Sequence, residues 1–355
     1  MNLGELIKNK LTDLEGGKDQ FSDITGAKMI SQMKVDDHVS TPLKVVSKRL
    51  QTTKDGKSFL LLTLSDRTGN IRAIDWNNAK LNDERLVSGG IASFTGKISL
   101  FDDRLQLNLS TSPDSVKPLE DGEYDPKKFI EITSKNVREM YDTLLEAIDS
   151  VEDEYISKML KEIFVNDQKF ASRFIESPAA STVHHAYKGG LLEHSLDVMQ
   201  MALNMASTYN NIKIHRDLLI AGSLLHDIGK VTEYRVMPAG IIRTSRGEMV
   251  GHIISGVEIL RDYAAKVEGF SDKVLLELEH IILSHHGEME WGAPVLPKTI
   301  EALIVHGADN IDSKVAQFRE LYKKTIDNSS VIDNEYYWSD YSKFLSRRIR
   351  VKGVE

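Results

Sequence analysis

Cysteine is absent from all 355 residues, so neither a disulfide nor a thiolate metal site can exist, and any bound metal must take nitrogen and oxygen ligands. Absent too is any apolar run near the 18 or so residues that a membrane span requires. The opening stretch MNLGELIKNKLTDLEGG is polar and carries acids, unlike a secretory signal. These absences lead us to expect a soluble, cytoplasmic protein with no membrane partner. An excess of positive charge is missing as well. The formal net charge is −8, which excludes a protein that coats duplex DNA by charge alone.

What is present is ordinary for a globular chain: 41% hydrophobic and 28% charged residues, at a length that suits two domains or slightly more. The charge is uneven. Residues 31–118 carry 13 Lys/Arg against 10 Asp/Glu, a net of +3, so an anionic ligand would meet this region more readily than the rest.

Residues 1–30 read as a short helix and a polar linker containing Gly16-Gly17. From about residue 33 the pattern turns to β-branched and apolar runs, with turn signals at Asp55-Gly56 and Thr68-Gly69-Asn70 and breaks at Gly96 and Asp102-Asp103. About five strands within 31–118 predict a small closed barrel, an OB-fold first, with an SH3-like barrel or short sandwich as alternatives. Residues 119–180 read as a helical linker region opening on the acidic LEDGEYDPKKF, and its amphipathic helices over 130–165 could pack between subunits of a homo-oligomer. Residues 181–330 have helical spacing almost throughout. In HIISGVEILRDYAAKV, Ile253, Val257, Leu260, Ala264 and Val267 share a stripe, and in DKVLLELEHIILSHHG so do Val274, Leu278, Ile281 and His285. Residues 331–355 form a basic tail. Its KFLSRRIRVK (343–352) could touch nucleic acid or stay solvated. The expected fold class is multidomain, β plus all-α: an OB-fold-like barrel followed by an all-helical bundle.

Ten of the 11 histidines lie between 184 and 306, so the helical half carries the chemistry. LLHDIGK (224–230) poses the problem directly, because buried Asp and Lys are rare unless paired or metal-bound. Partners are at hand on separate helical segments: His194 in GGLLEHSLDV, His252 in VGHIISG, His285-His286 in LSHHGEME, and Asp309 in HGADNIDSK. A helical bundle can aim such side chains at one interior point. Imidazoles and carboxylates without thiols suit Mn, Fe, Co, Ni or Zn. The pieces fit two neighbouring ions better than one. His194, His226, Asp227 and Asp309 would hold the first, and His252, His285 and His286 the second. Asp227 would bridge, because a carboxylate has two oxygens and an imidazole only one free lone pair. Such a pair is the usual clamp for displacement at phosphorus. Lys230 could meet a phosphate oxygen or the leaving group, or it could be a solvated lysine near a helix C-terminus. His306 could be an outer partner of Asp309. His184-His185 in STVHHAYKGG could contact a phosphate or a sugar, or serve only a loop. His38, His215 and His280 look incidental.

These motifs resemble the HD superfamily of metal-dependent phosphohydrolases, whose signature is a His, an adjacent His-Asp pair and a distant Asp. Here those positions are His194, His226-Asp227 and Asp309, and the additional His252 and His285-His286 resemble the two-metal branch. With an OB-like region ahead, the stretches HHAYKGGLLEHSLDV, LLHDIGK, LSHHGE and GADNIDSK are similar to the YhaM-type 3′–5′ exoribonucleases. The resemblance covers about residues 30–325. It implies an HD domain over 181–330, single-stranded RNA as substrate with single-stranded DNA as a second candidate, Mn²⁺ as the preferred ion, and nucleoside 5′-monophosphates as products. An OB barrel would hold the strand through cations and stacking. Arg49 and Arg72, with Lys48, Lys54 and Lys57, could follow the backbone, and Trp76 is the candidate for stacking. Two rivals remain: an HD hydrolase of small or cyclic nucleotides, and a non-catalytic single-strand binder with a structural metal.

Overall fold

The computed structural model describes residues 27–102, 104–120, 122–125, 128–129, 132–181, 185–237, 240–327 and 336–352. The expected helix within 1–26 lies outside the described residues. The chain divides into two compact units. One takes Thr133–Arg235 and the chain from Ile242; the other runs up to Ile132 and adds Val236–Ile241. The stretch expected as a helical linker, 119–180, is therefore shared between the two.

The first unit in chain order is a β-barrel. Its strands are β1 (His38–Thr52), β2 (Ser58–Asp66), β3 (Gly69–Asp75), β4 (Ile91–Phe101), β5 (Arg104–Leu109) and the short β6 (Val116–Leu119), with helix α1 (Ala79–Arg85) between β3 and β4. Alternation drives the inside–outside choice. In β2, Leu60, Leu62 and Leu64 are buried, while Phe59, Leu61 and Thr63 are less so. Phe94, Ile98 and Leu107 from β4 and β5 complete the same core. β1 is long enough to pair twice. Its first half, His38–Lys44, lies antiparallel to Lys97–Ile91 of β4, and its second half pairs with β2. A bulge between Val45 and Ser47 separates the two halves. The neighbour order β1-β2-β3-β5-β4 then closes back on β1, with β3 and β5 parallel. That ring is the OB-fold order, and it settles the choice against the SH3-like and sandwich alternatives.

Gly96 was expected to break a strand, yet it lies inside β4, opposite Val39 of β1 and Leu109 of β5. A Cβ there would lie 2.2 Å from the Asn108 carbonyl oxygen, so only glycine allows the two backbones this close. Asp102, with φ of +50°, does turn β4 into β5.

The second unit is helical. It contains α2 (Val137–Asp149), α3 (Glu154–Lys161), α4 (Gln168–Glu176), α5 (Gly190–Ser207), α6 (Arg216–Leu225), the one-turn α7 (Lys230–Glu233), α8 (Ser245–Met249), α9 (Gly251–Ala264), α10 (Asp272–Ser284) and α11 (Ile300–Asp327). Asn136, Asp153 and Asp167 cap the first helices, their side-chain oxygens accepting backbone N–H groups of the opening turn. The apolar stripe of α2, Val137, Met140, Tyr141, Leu144 and Ile148, is buried within the chain itself. Ile253, Leu260, Ala264 and Val267 are buried as their spacing implied. Among the described residues no helix is long and apolar enough to cross a membrane.

Two corrections follow. Residues after LLHDIGK are not all helical: β7 (Tyr234–Met237) and β8 (Gly240–Arg243) form a hairpin. Nor is the described part of the C-terminal stretch a solvated tail. β9 (Tyr336–Trp338) pairs antiparallel with β10 (Arg350–Lys352), and Leu345, Ile349 and Val351 are buried with Leu321 of α11 packed against them. Apolar residues interleaved with arginines supply a buried face that the charge count hides.

Gly96→Ala is expected to destabilise the barrel by about 1–3 kcal/mol through overpacking against the Asn108 carbonyl. Equilibrium denaturation checks this, and wild-type stability in the variant would contradict the close approach.

Candidate metal centre

LLHDIGK is not a continuous helix. α6 ends at Leu225, His226 and Asp227 sit in the tight turn that follows, and Lys230 opens α7. The turn is fully buried; His226 and Asp227 are 0% and 1% exposed. Gly229 matters here, because a Cβ would lie 1.9 Å from the His252 carbonyl oxygen. Its lack of a side chain lets the first turn of α9 approach and brings His252 to the site. His194 comes from α5, His285-His286 from just past the end of α10, and Asp309 from the third turn of α11.

All seven expected ligands converge. His194 Nε2 lies 3.1 Å from His226 Nε2, 3.4 Å from Asp227 Oδ2 and 3.2 Å from Asp309 Oδ1, and His226 Nε2 is 3.4 Å from Asp227 Oδ2. On the other side of the same carboxylate, Asp227 Oδ1 lies 3.5 Å from both His252 Nε2 and His285 Nε2. His286 joins His252 and His285 in a second potential ligand group. The Asp227 oxygens thus face two separate imidazole sets, the disposition a bridging carboxylate requires.

Hydrogen bonds fix which ring nitrogen faces inward. The Nδ1–H groups of His226, His285 and His286 donate to the carbonyl oxygens of Ser223, Ile282 and Trp291 at 2.7, 2.7 and 2.9 Å. His194 Nδ1 donates to Asp312 Oδ2 at 2.7 Å, and His252 Nδ1 to Glu233 Oε2 at 2.6 Å. A carbonyl or carboxylate can only accept, so each neutral ring presents Nε2 as a bare lone pair. Asp227 Oδ1, His252 Nε2 and His285 Nε2 are buried without any hydrogen-bond partner. Acceptors crowded at 3.1–3.5 Å repel unless a positive charge stands among them. That spacing suits donors around a first-row ion with bonds of about 2.0–2.2 Å. The residues therefore fit divalent metal.

The electrostatics agree. Burial opposes a charge on Asp227, yet Lys230 and then His226 hold its carboxyl well below the usual range. Burial likewise works against a charged His194, but hydrogen bonds to Asp227, Asp309 and Asp312 raise its pKa well above the ordinary value. The field that draws a proton to this ring draws a cation equally. Burial, and then the neighbouring His285, push His286 down to about 4, so its ring stays neutral.

Other candidates fall differently. Lys230 is not at a helix C-terminus and is not free for substrate: it is buried, with Nζ 2.5 Å from Asp227 Oδ2. His184 lies outside the described residues. His185 is 4% exposed with both nitrogens engaged, Nδ1 2.7 Å from Tyr187 OH and Nε2 2.9 Å from Asp312 Oδ2. It therefore braces Asp312 instead of offering an edge to phosphate or sugar. His306 does not touch Asp309; its Nδ1 donates to the His285 carbonyl at 2.8 Å. Asp312 and Glu233, which orient His194 and His252, were missed. The signal for Asp312 was its place three residues after Asp309, nearly one helical turn.

In the barrel unit, ladder partners share a face. Arg49 stands opposite Leu61 and Leu61 opposite Ile74; Thr63 stands opposite Arg72 and Arg72 beside Gln106. Phe59 belongs to that outer row, and Trp76 meets it with ring centroids 4.8 Å apart. Arg49, Arg72 and Trp76 thus share the outer face of β1–β3, all three exposed. Lys48 is engaged with Asp83 at 3.0 Å.

Two outcomes are expected. Asp312→Asn should weaken divalent-metal binding about 10–100-fold, measured by titration calorimetry, by loosening the hold on His194 Nδ1. The carboxylates around His194 favour a proton on its ring, whereas the His286 ring stays neutral. Metal binding should therefore release protons as His194 gives up its charged form, measured by calorimetry in buffers of differing ionisation enthalpy.

Comparison with known proteins places this geometry. The HD domain family model matches residues 191–314, which hold all seven converging residues, and the TraI_2 model matches residues 135–238. The chain is 33% identical over 292 residues to the 3′–5′ exoribonuclease YhaM of Bacillus pumilus (strain SAFR-032), covering 81% of this chain and 89% of that protein. It is 34% identical over 295 residues to YhaM of Bacillus licheniformis, with the same coverage of each. Among solved structures, a domain of replication protein A from Methanococcus maripaludis matches at 22% identity over 26% of this chain and 96% of that domain, with a TM-score of 0.23. At such identity over most of both chains, the protein belongs to the YhaM family of 3′–5′ exoribonucleases.

Proposed function

We propose that this chain is a metal-dependent 3′–5′ exoribonuclease that hydrolyses the terminal phosphodiester of single-stranded RNA and releases nucleoside 5′-monophosphates. Single-stranded DNA is a second substrate and Mn²⁺ the preferred ion. The observation that carries the reading is the Asp227 carboxylate, with one oxygen toward His194 and His226 and the other toward His252 and His285. His194, His226, Asp227 and Asp309 would hold one ion; His252, His285 and His286, with Asp227 shared, would hold the other. Divalent ions at such a pair of sites supply Lewis acidity toward water and the phosphoryl oxygens.

The chain's own residues then do the positioning. Lys230 keeps Asp227 ionised and aimed, because its ammonium is held on Oδ2 at 2.5 Å. Asp312 and Glu233 lock the rings of His194 and His252 with Nε2 inward. Burial excludes bulk water from the ligand side of the centre, which strengthens each electrostatic contact. The outer face of the barrel is suited to a strand: Arg49 and Arg72 meet phosphates, and the Phe59–Trp76 pair offers a stacking surface. A base-tolerant module of this kind fits a long substrate better than a small or cyclic nucleotide.

The test uses 5′-end-labelled single-stranded RNA and DNA with the purified chain in Mn²⁺, products being sized by gel. Stepwise shortening from the 3′ end is expected, together with loss of activity in Asp227→Ala. Arg49→Ala with Arg72→Ala should raise KM for long RNA several-fold while leaving kcat near wild type. Intact RNA alongside turnover of a cyclic dinucleotide would defeat the proposal.

A further inference from the structure

Trp291 stands out at the rim of the metal centre. It closes a single helical turn, Met289–Trp291, that ends at Gly292 with φ of +90°. Its main-chain oxygen accepts the Nδ1–H of His286 at 2.9 Å. Its indole lies 6.2 Å from the His306 ring, and His306 in turn donates to the His285 carbonyl at 2.8 Å. The residue is thus tied on two sides to the His285-His286 pair, and His285 Nε2 is 3.5 Å from Asp227 Oδ1. Even so the indole is 52% exposed, with Met289 beside it at 68%. Lys314 Nζ sits 5.5 Å over the ring.

We propose that the Trp291 indole is the seat on which the base of the 3′-terminal nucleotide stacks, with Lys314 meeting a phosphate of the same strand end. This rests on the exoribonuclease reading above and adds the residue that grips the reacting nucleotide. The chemistry fits the task. An exonuclease must accept whichever base stands last, and every base has a π-face, whereas hydrogen bonds to base edges would favour one base over the others. An exposed tryptophan beside a polar centre leaves apolar area in water that a stacked base removes. Main-chain tethering to His286 keeps the residue beside the His252–His285–His286 group.

The tether also makes the test clean, because any residue at 291 keeps the carbonyl that positions His286. The full chain loaded with Mn²⁺ is given single-stranded RNA ending either in an ordinary nucleotide or in an abasic one. For the unaltered chain the abasic end should raise KM on the order of ten-fold, as loss of one stacked base implies. Trp291→Ala should raise KM for the ordinary end by a similar factor and erase the difference between the two ends. Trp291→Phe should restore part of it. Bound manganese per chain should be the same in all three proteins. If Trp291→Ala still discriminates the two ends, or loses manganese, the proposal is overturned. If the unaltered chain shortens neither RNA, the exoribonuclease reading fails first and this one with it.

Discussion

A single buried carboxylate organises the helical unit. Asp227 is 1% exposed, and its two oxygens look toward two different sets of imidazoles while Lys230 bonds to one of them. An isolated carboxylate so deep would be protonated or expelled. Here one ammonium and several rings hold it charged, and each ring must approach from a different helix. The fold around the turn after α6 is therefore constrained by charge as much as by packing. Gly229 is part of that constraint, since only its missing side chain lets the His252 backbone come alongside.

The rings themselves are held from behind. Two of the five, His226 and His285, donate Nδ1–H to carbonyl groups in the last turn of their own helices, His286 donates to the Trp291 carbonyl of the turn beyond, and two donate to the carboxylates Asp312 and Glu233. The carbonyls cost little, because the last turn of a helix leaves acceptors without partners in any case. The carboxylates do more: they add negative charge behind His194 and His252 and so strengthen each ring as a donor to a cation. His185 extends the arrangement outward by one step, bonding Asp312 at 2.9 Å and Tyr187 at 2.7 Å. A polar network this deep holds its members in place because nearly every atom is satisfied, and of the converging side chains the buried atoms without a hydrogen-bond partner, Asp227 Oδ1, His252 Nε2 and His285 Nε2, face the candidate metal positions.

The barrel unit solves a different problem. Its core takes one side of every strand, which frees the other side of β1–β3 for polar and aromatic residues. Asp75 shows how the two are reconciled at the end of β3. It is fully buried, accepting N–H groups from Asn77 and Asn78 and the Asn82 amide, and this turn swings Trp76 outward against Phe59. The exposed ring is held by a buried acid one residue earlier.

Much of this could be read from the chain alone. Apolar and β-branched runs between turn signals such as Asp55-Gly56 and Thr68-Gly69-Asn70 marked strands, helical spacing marked α9 and α10, and the ligand types at His194, His226, Asp227, His252, His285, His286 and Asp309 marked the chemistry. Local periodicity and side-chain chemistry are properties of neighbours in sequence, so they survive without coordinates. Other features could not be read. Lys230 read as a phosphate or leaving-group contact or as a helix-end lysine, until the turn placed it on Asp227. Asp312 and Glu233 were not singled out, because their partners lie 118 and 19 residues away. The basic stretch near the C-terminus hid three buried residues that cover part of α11. Composition and spacing by themselves determined the donor atoms, the absence of thiols and the division into a strand-rich first half and a mainly helical second half. Only tertiary structure decided which oxygen of Asp227 meets which ring, which acids stand behind the histidines, and which strands close the barrel, because those depend on distances between segments that no local pattern encodes.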